Sequence, residues 1–554
     1  MLERLRNLIV RHPAAAAFAA SVVLLSFGSA GAEIVRIDVR FAVMLGELRD
    51  RAPGIFPTVN GFPYADYFSP WFFAAYLTTL GGRWINLWSL TLPAALLGGA
   101  VFACVVAIGE HRRRGLGVIA AGLLAASWEF LLVLLSFGID VPVTAAAALM
   151  LWSLECRPER RRLNPLLCFL LAAAALLARG PLGAILFGSV TGGYLLASRR
   201  WREALSVGAA GLAGVLVSGG AVAAMIRRQG GEELWRLFLA WQIGSRIDSY
   251  DPLYYFTSGL FSFAPVTIAA VAAVFMLRRK LFLPENAGVF GAALLPLLLL
   301  SIPGCKHLRY MAPALPAIAL LGGEAVSRLL ESGNGIAFRS LAFLHRCLPA
   351  LLCGLFIAVG VTGFFFRREE FFAFGNLAAG ILAALVLRVL AAPAKGGTAR
   401  FAAVAAGAML AITAGLYPLY NSFESSRPTV RRIEALRRGG RIWIYRIGPD
   451  HNDLKYRLHA DPDAPSATVW IGPKPKNPAK PDHLRRMYGC RNAGEAVFRA
   501  GEVVLTTPER AGEVAKLRNL APLHPVKVLD GELGHRRVVL LRLEGERSPA
   551  RAGK

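Results

Sequence analysis

Long apolar runs alternate with short polar segments from the N-terminus to about Tyr420. The first run extends from Pro13 to about Gly31, and the last from Phe401 to about Tyr420. Because a helix needs roughly 20 apolar residues to cross the hydrocarbon core, this pattern predicts about thirteen transmembrane helices. Many spans follow the first run, so we interpret it as a retained helix rather than a cleaved signal peptide. The predicted fold class is a polytopic α-helical membrane protein.

The pattern changes after Tyr420. Residues 421–554 are rich in proline, arginine, lysine and aspartate, and Ala511–Leu520 has a helical pattern. Short runs typical of strands occur at Arg441–Tyr445, Ala467–Ile471, Glu502–Thr506 and Arg537–Leu543. The sequence therefore predicts a transmembrane domain over residues 1–420 and a small C-terminal α/β domain outside the membrane over residues 421–554.

Composition agrees with a membrane protein. Hydrophobic residues make up 55% of the 554 residues, and charged residues only 18%. A soluble protein of this length would need more polar surface. The formal net charge of +26 is concentrated in short basic clusters between apolar runs, at His111–Arg114, Arg157–Arg162, Arg199–Glu203 and Arg278–Lys280. Such clusters are typical of cytoplasmic loops, so we expect no nucleic-acid partner.

The same clusters predict the topology. All of them fall on the side of the basic N-terminus, which is therefore expected to be cytoplasmic. Residues 33–83 and 421–554 are then external, which in a bacterium means the periplasmic side of the inner membrane. The seven cysteines are scattered without a CxxC pair, so neither a disulfide framework nor a zinc site is predicted. No nucleotide-binding glycine loop is present, which argues against a machine driven by cytoplasmic ATP.

The external segment Glu33–Trp71 is unusually rich in charged and aromatic residues for a loop between two spans. Such a loop beside a membrane is where chemistry is expected. Two motifs lie within this segment, Arg40-Phe41-Ala42 and Asn60–Asp66, and four more follow it in order: Asp140 after the third span, Leu177–Pro181, Trp241–Tyr255 and Lys306–Pro316.

Together these motifs resemble those of lipid-linked-sugar transferases of the GT-C superfamily. The pattern is most similar to the bacterial aminoarabinose transferases of lipid A and to protein O-mannosyltransferases. Ile37 departs from it, because the family has an aspartate there, and Tyr67 stands at a family lysine. The resemblance covers about residues 1–420 and implies a GT-C-type fold. It also implies a glycosyltransferase that moves a hexosyl or pentosyl group from a polyprenyl-phosphate donor at the periplasmic face. The acceptor would be a lipid A-like glycolipid, another glycan or a protein.

Such a reaction needs a base for the acceptor hydroxyl, and a carboxylate can supply it. Asp38 and Asp66 are the candidate catalytic residues, with the alternative that they only pair with neighbouring arginines and hold the loop. Asp38, Asp66 and Asp140 could together hold a divalent metal ion, the only cofactor that the sequence suggests, because hard cations prefer carboxylates.

The leaving phosphate needs fixed cations, and arginine suits bidentate oxygen recognition. The candidates for binding it are Arg40, Arg179, Arg246, Lys306 and Arg309. Aromatic candidates for substrate binding are Tyr64, Tyr67, Tyr255 and Tyr310. The alternative for both sets is a belt of interfacial residues that anchors the spans in the bilayer.

Two other functions fit a polytopic protein. A lipid or glycan transporter or flippase would place ionisable residues in the middle of its spans and would have paired broken helices. A structural assembly factor for envelope glycans would have dispensable acidic loop residues. The charges here lie at the external ends of the predicted spans, which favours the enzyme.

Overall fold

The computed structural model describes residues 9–50, 54–59, 62–64, 67–157, 162–242, 251–302, 306–331, 335–367, 371–392, 396–437, 441–445, 468–471, 497–533 and 536–545. Its membrane domain is helical. The helices are α1 (Pro13–Ser29), α2 (Ile37–Asp50), α3 (Ser69–Thr78), α4 (Leu87–Arg112), α5 (Leu116–Ala125), α6 (Trp128–Leu134), α7 (Asp140–Cys156), α8 (Asn164–Arg179), α9 (Pro181–Ala197), α10 (Trp201–Gln242), α11 (Tyr254–Ser262), α12 (Val266–Leu277), α13 (Pro284–Leu300), α14 (Leu315–Glu331), α15 (Ile336–Phe366), α16 (Phe374–Ala391), α17 (Gly397–Leu410) and α18 (Tyr417–Phe423).

Helix length confirms the polytopic fold class but not the count of thirteen spans. Among the described residues, six helical segments are long and apolar enough to cross a membrane, or eight if each of two bent helix pairs is one span. Four shorter apolar helices, α1, α8, α9 and α13, accompany them. The predicted third span is one of the bent pairs, because α5 and α6 meet at 81°. Hydropathy averages over such bends, so it cannot count spans that break or stop short.

Small residues allow the helices to pack closely. Gly193 of α9 and Gly291 of α13 face each other so tightly that a Cβ on Gly193 would lie 2.3 Å from the Gly291 carbonyl oxygen. Such contacts replace the hydrophobic effect as a source of helix association inside a bilayer. A capping box starts α4, where Asn86 accepts from the Ser89 amide at 2.8 Å. The sequence therefore specifies both where this span begins and how tightly others pack.

Helix α10 is longer than the sequence predicted. The apolar run alone predicts a span at about Ala204–Met225 followed by a loop, whereas the helix continues to Gln242 across a kink at Gly231. The continuation is amphipathic, and its Leu234 and Phe238 join a buried cluster with Phe56 and Phe68 of the first external loop. Apolar residues spaced by three or four therefore form a helical cover over that loop.

The first external segment, predicted as the loop 33–83, contains helices α2 and α3. It also contains two antiparallel strands of two residues each, β1 (Thr58–Val59) and β2 (Phe62–Pro63). In α2, Asp38 lies in the first turn and Arg49 in the last, an arrangement that complements the helix dipole. Glu33 fixes the start of this segment, because its amide donates to Asn421 Oδ1 at 2.9 Å and its carbonyl accepts from Asn421 Nδ2 at 2.7 Å. The loop is thereby tied to the end of the last membrane helix.

The C-terminal domain contains a five-stranded mixed sheet, as the α/β prediction requires. Its strands are β3 (Ile442–Tyr445), β4 (Thr468–Ile471), β5 (Val503–Thr506), β6 (His524–Leu533) and β7 (Arg536–Glu544), and its helices are α19 (Arg427–Arg437) and α20 (Ala511–Ala515). The strand order is β4-β3-β5-β7-β6, with β3 parallel to β4 and β5. Strand β6 was missed, because its exposed and half-buried positions do not alternate regularly.

Candidate active site

A buried ion cluster joins three helix ends on one side of the membrane domain. Asp140 begins α7 and Arg179 ends α8, and the Arg179 Nε donates to Asp140 Oδ1 at 2.9 Å. Their side chains are only 1% and 2% exposed. Arg309, in the turn before α14, brings its Nε to 3.4 Å from Asp140 Oδ2, and 31% of its side chain is exposed. One carboxylate thus lies between two guanidinium groups, of which Arg309 is the more exposed.

Tyr310 completes this cluster. Its hydroxyl accepts a hydrogen bond from Arg179 Nη2 at 3.0 Å, and its ring lies under the Arg179 guanidinium at 5.1 Å. The helix dipoles contribute as well, because a carboxylate is favoured at a helix N-terminus and a cation at a C-terminus. Asp140 and Arg179 occupy those two positions in α7 and α8. The pair is therefore held by charge, by hydrogen bonds and by the helix ends.

Gly180 makes this placement of Arg179 possible. Its backbone has φ 70° and ψ −158°, a region that essentially only glycine occupies, and this residue separates α8 from Pro181 at the start of α9. A Cβ here would also lie 2.8 Å from Gln242 Oε1. The sharp break lets α8 end with its arginine pointing into the site while α9 turns away.

Substitution of Gly180 should lower the stability of the protein and, because Arg179 precedes it, disturb the site. We expect Gly180→Ala to lower the stability of the protein by about 1–3 kcal/mol through backbone strain. Gly188→Ala is the matched control, because an added Cβ at Gly188 meets nothing within 4 Å in α9. Thermal unfolding midpoints in detergent measure the effect. Equal midpoints for the two variants would contradict the requirement for glycine at position 180.

Asp38 lies beside this cluster. Its carboxylate is buried and accepts a hydrogen bond from the Phe137 amide at 2.9 Å, in the turn that leads to Asp140. Burial raises the pKa of Asp38 to about 7, while the Phe137 hydrogen bond and the charges of Arg36 and Arg309 act in the opposite direction. A carboxyl group with that pKa is matched to proton transfer near neutral pH. The structure thus brings the first catalytic candidate and the exposed cation of the cluster into one site.

Aromatic rings and Arg40 form the adjoining wall. Arg40 Nη1 donates to the Tyr64 hydroxyl at 2.8 Å, and the Tyr64 and Tyr67 rings stack with centroids 5.1 Å apart. Tyr67 in turn contacts Phe41 edge to face at 5.4 Å. Both tyrosines are mostly buried. Tyr64 therefore holds Arg40, and the two rings together shape the wall.

Lys306 has a different environment from Arg309. Its ammonium donates to the carbonyl oxygens of Leu300 and Ser301 at 2.7 and 2.9 Å, which caps the C-terminal end of α13. It also lies 5.4 Å from the centroid of the Tyr255 ring. Partial burial lowers the pKa of Lys306, with Asp251 opposing the shift. Two of its three donors are thus engaged by the protein, which makes it a weaker candidate for phosphate binding.

Two predicted site residues, Asp66 and Arg246, lie outside the described residues. The predicted metal site is therefore only partly visible, and its fit is poor, because both oxygens of Asp140 face arginines. Among the residues that the structure describes, no three His, Cys, Asp or Glu side chains are grouped for a metal ion. From the sequence, Asp140 was predicted as a metal ligand and Arg179 and Arg309 as separate cations, whereas in the structure the three side chains form one cluster.

Comparisons with known proteins bear on this site. Residues 67–221 match the family described as dolichyl-phosphate-mannose-protein mannosyltransferase. A crystal structure of ArnT from Cupriavidus metallidurans bound to undecaprenyl phosphate matches with a TM-score of 0.69 at 16% identity, over 95% of this chain and 97% of that chain. The crystal structure of ArnT from the same organism in the apo state also matches with a TM-score of 0.69 at 16% identity, over 95% of this chain and 96% of that chain. No curated protein gives a significant match. The chain therefore has the fold of ArnT, and the fold that the resemblance of its motifs implied is confirmed.

Proposed function

We propose that the protein is a membrane glycosyltransferase that takes a sugar from a polyprenyl-phosphate donor. The observation that carries this proposal is the juxtaposition of Arg309, partly exposed beside Asp140, with the buried Asp38 carboxyl group. Arg309 would supply a cation for the phosphate, and Asp38 would supply the base. The fold shared with ArnT, which has been crystallised with undecaprenyl phosphate, supports a lipid phosphate as the ligand.

The proposed reaction balances without a further reactant. The acceptor hydroxyl attacks the anomeric carbon of the sugar, and the bond from that carbon to the phosphate oxygen breaks. The hydroxyl proton passes to the carboxylate of Asp38, and polyprenyl phosphate leaves with the bonding electron pair. Arg309 stabilises the charge that grows on the phosphate, which is where a preorganised cation contributes most. Arg179, bound by Asp140 and Tyr310, keeps Asp140 and thereby Arg309 in position.

The finer features are also proposals. The arginine asymmetry supports a cytoplasmic N-terminus, which would place the site at the periplasmic face of a bacterial inner membrane. A glycolipid such as lipid A, another glycan or a protein would be the acceptor. All four candidate tyrosines are buried, so they would orient neighbouring groups and present at most a ring edge to the sugar or the prenyl chain: Tyr64, Tyr67, Tyr255 and Tyr310.

The function is tested by mass spectrometry of envelope lipids from cells with and without the protein. We expect loss of one sugar modification and accumulation of its polyprenyl-phosphate donor. Purified protein with that donor and extracted acceptor should then release polyprenyl phosphate. Movement of the intact donor across vesicle membranes without release of polyprenyl phosphate would overturn the enzyme and support the flippase.

Arginine chemistry at position 309 can be tested separately. We expect Arg309→Ala to lower the transfer rate by roughly 100- to 1,000-fold, as for loss of one preorganised donor at a site of growing charge. Arg309→Lys should keep only part of the wild-type transfer rate, because an ammonium group lacks the planar fork with which arginine binds two phosphate oxygens. Lys306→Ala should cost less than Arg309→Ala, since Lys306 already caps α13.

Arg236→Lys is the matched control for these variants, because Arg236 is exposed in the covering part of α10 and pairs only with Glu232, at 3.5 Å, among the described residues. Transfer rates measured over a range of donor concentrations separate the variants. Full activity in Arg309→Ala would exclude this arginine from donor binding.

A further inference from the structure

A polar cavity of about 410 Å³ lies between α15, α16 and the start of α17. Its basic lining residues are His345, Arg346, Arg388 and Arg400. Leu348, Leu352 and Leu387 add apolar surface beside them. The cavity therefore combines three arginines with an apolar wall inside the membrane domain.

This cavity lies at the opposite membrane face from the candidate active site. The far end of α15 leads to Arg367, whose guanidinium lies 4.4 Å from the ring centroid of Phe423. The neighbouring Glu424 pairs with Arg36 at 3.9 Å, beside the active-site loop. The basic cavity lies near the start of α15 and the end of α16. It is therefore a separate site, and its role does not depend on the proposed transfer reaction.

Arg346 and Arg388 lack the acidic partners that other basic residues among the described residues have. Arg112 pairs with Glu155 at 3.0 Å, and Arg113 with Glu331 at 3.1 Å. Among the described residues, no acidic side chain lines the cavity and neither Arg346 nor Arg388 has an ion-pair partner. Like charges around one cavity repel each other, so an anion bound between them would lower the energy.

The surroundings of the cavity favour a lipid over a soluble anion. Only 22% of the most apolar segment of α15 and 17% of that of α16 is buried inside the protein, so both helices face the bilayer. Basic pockets between transmembrane helices are well suited to phosphate headgroups, whose acyl chains then run along the neighbouring apolar surface. Leu348, Leu352 and Leu387 provide that surface.

We propose that this cavity binds the phosphate headgroup of an anionic phospholipid from the leaflet opposite to the candidate active site. Arg346 and Arg388 contact the phosphate oxygens, and the lipid bridges α15 and α16. A free phosphate ion offers the same oxygens but no acyl chain. It would therefore not use the apolar part of the cavity.

Binding is measured on the full-length protein in detergent by native mass spectrometry during titration with phosphatidylglycerol. The double variant Arg346→Gln/Arg388→Gln should bind the lipid about 25-fold more weakly, since each basic residue near an anionic headgroup contributes roughly fivefold. The control is Arg202→Gln/Arg339→Gln, which removes two exposed arginines near the starts of α10 and α15, outside the cavity lining. It should bind like the wild type.

A third variant keeps every charge. Ala391→Trp fills part of the cavity lining and should weaken lipid binding as well. Equal losses in the two double variants would replace the proposed site by diffuse attraction to basic charge. Displacement of the lipid by millimolar inorganic phosphate, or equal affinity for phosphatidylglycerol and phosphatidylcholine, would also overturn an anionic-lipid site.

Discussion

We expect Asp38→Asn to lower the rate of glycosyl transfer by about 100- to 10,000-fold, the contribution typical of a positioned general base. Asparagine keeps an oxygen that can accept the Phe137 amide, so the turn before Asp140 should remain in place. It also removes a buried carboxyl group that burial disfavours in its charged form. The protein should therefore fold normally and lose activity. This outcome separates a base from a side chain that only holds the loop.

The pH dependence gives an independent readout of the same residue. A base must be deprotonated to act, and the pKa of Asp38 is about 7. Transfer measured as kcat/KM should thus rise with pH through about 7 and level off above it. In Asp38→Asn the remaining activity should not show this rise.

The matched control is Asp50→Asn at the other end of α2, where the carboxylate pairs with Arg49 at the protein surface. It should keep the wild-type rate and the pH profile. Wild-type transfer by Asp38→Asn would move the search for the base to Asp66. Asp140 is a poor alternative, because arginines face both of its oxygens.

Much of the fold follows from the sequence because bilayer insertion depends on local hydrophobicity. The long apolar runs identified α4, α15 and α16 as spans, and four of the five C-terminal strands were located within a few residues. Tertiary contacts decided the rest. Ser127, at the bend between α5 and α6, donates to the Phe263 carbonyl at 3.3 Å. A break stabilised by a residue so distant in sequence leaves no signal in a hydropathy average.

The candidate site was predictable residue by residue but not as an arrangement. Asp38, Arg179 and Arg309 each stood out as charged groups at the ends of apolar runs. Their partners come from distant segments, since Asp140 binds Arg179 and Asp38 accepts from Phe137. A single sequence shows which residues lie near the membrane surface but not which charges neutralise one another. Asp140 therefore suggested a metal ligand, while the structure makes it the counterion of two arginines.

The buried ion pair between Asp140 and Arg179 should have a large effect on the stability of the protein. Removing one partner of a buried ion pair leaves an uncompensated charge, which typically costs about 3–5 kcal/mol. We expect Arg179→Met and Asp140→Leu each to lower the stability of the protein on this scale. Asp140→Leu should be the worse of the two, because it leaves Arg179 and Arg309 facing each other without an anion between them.

The double variant Arg179→Met/Asp140→Leu distinguishes a structural pair from a functional one. Apolar residues of similar size often replace a buried ion pair without loss of stability, so most of the stability should return. Activity should not return, because Arg309 loses the carboxylate that orients its guanidinium. Thermal unfolding midpoints in detergent and transfer rates on the same preparations measure the two quantities. Recovery of both together would show that the pair only holds α7 against α8 and that Arg309 needs no such anchor.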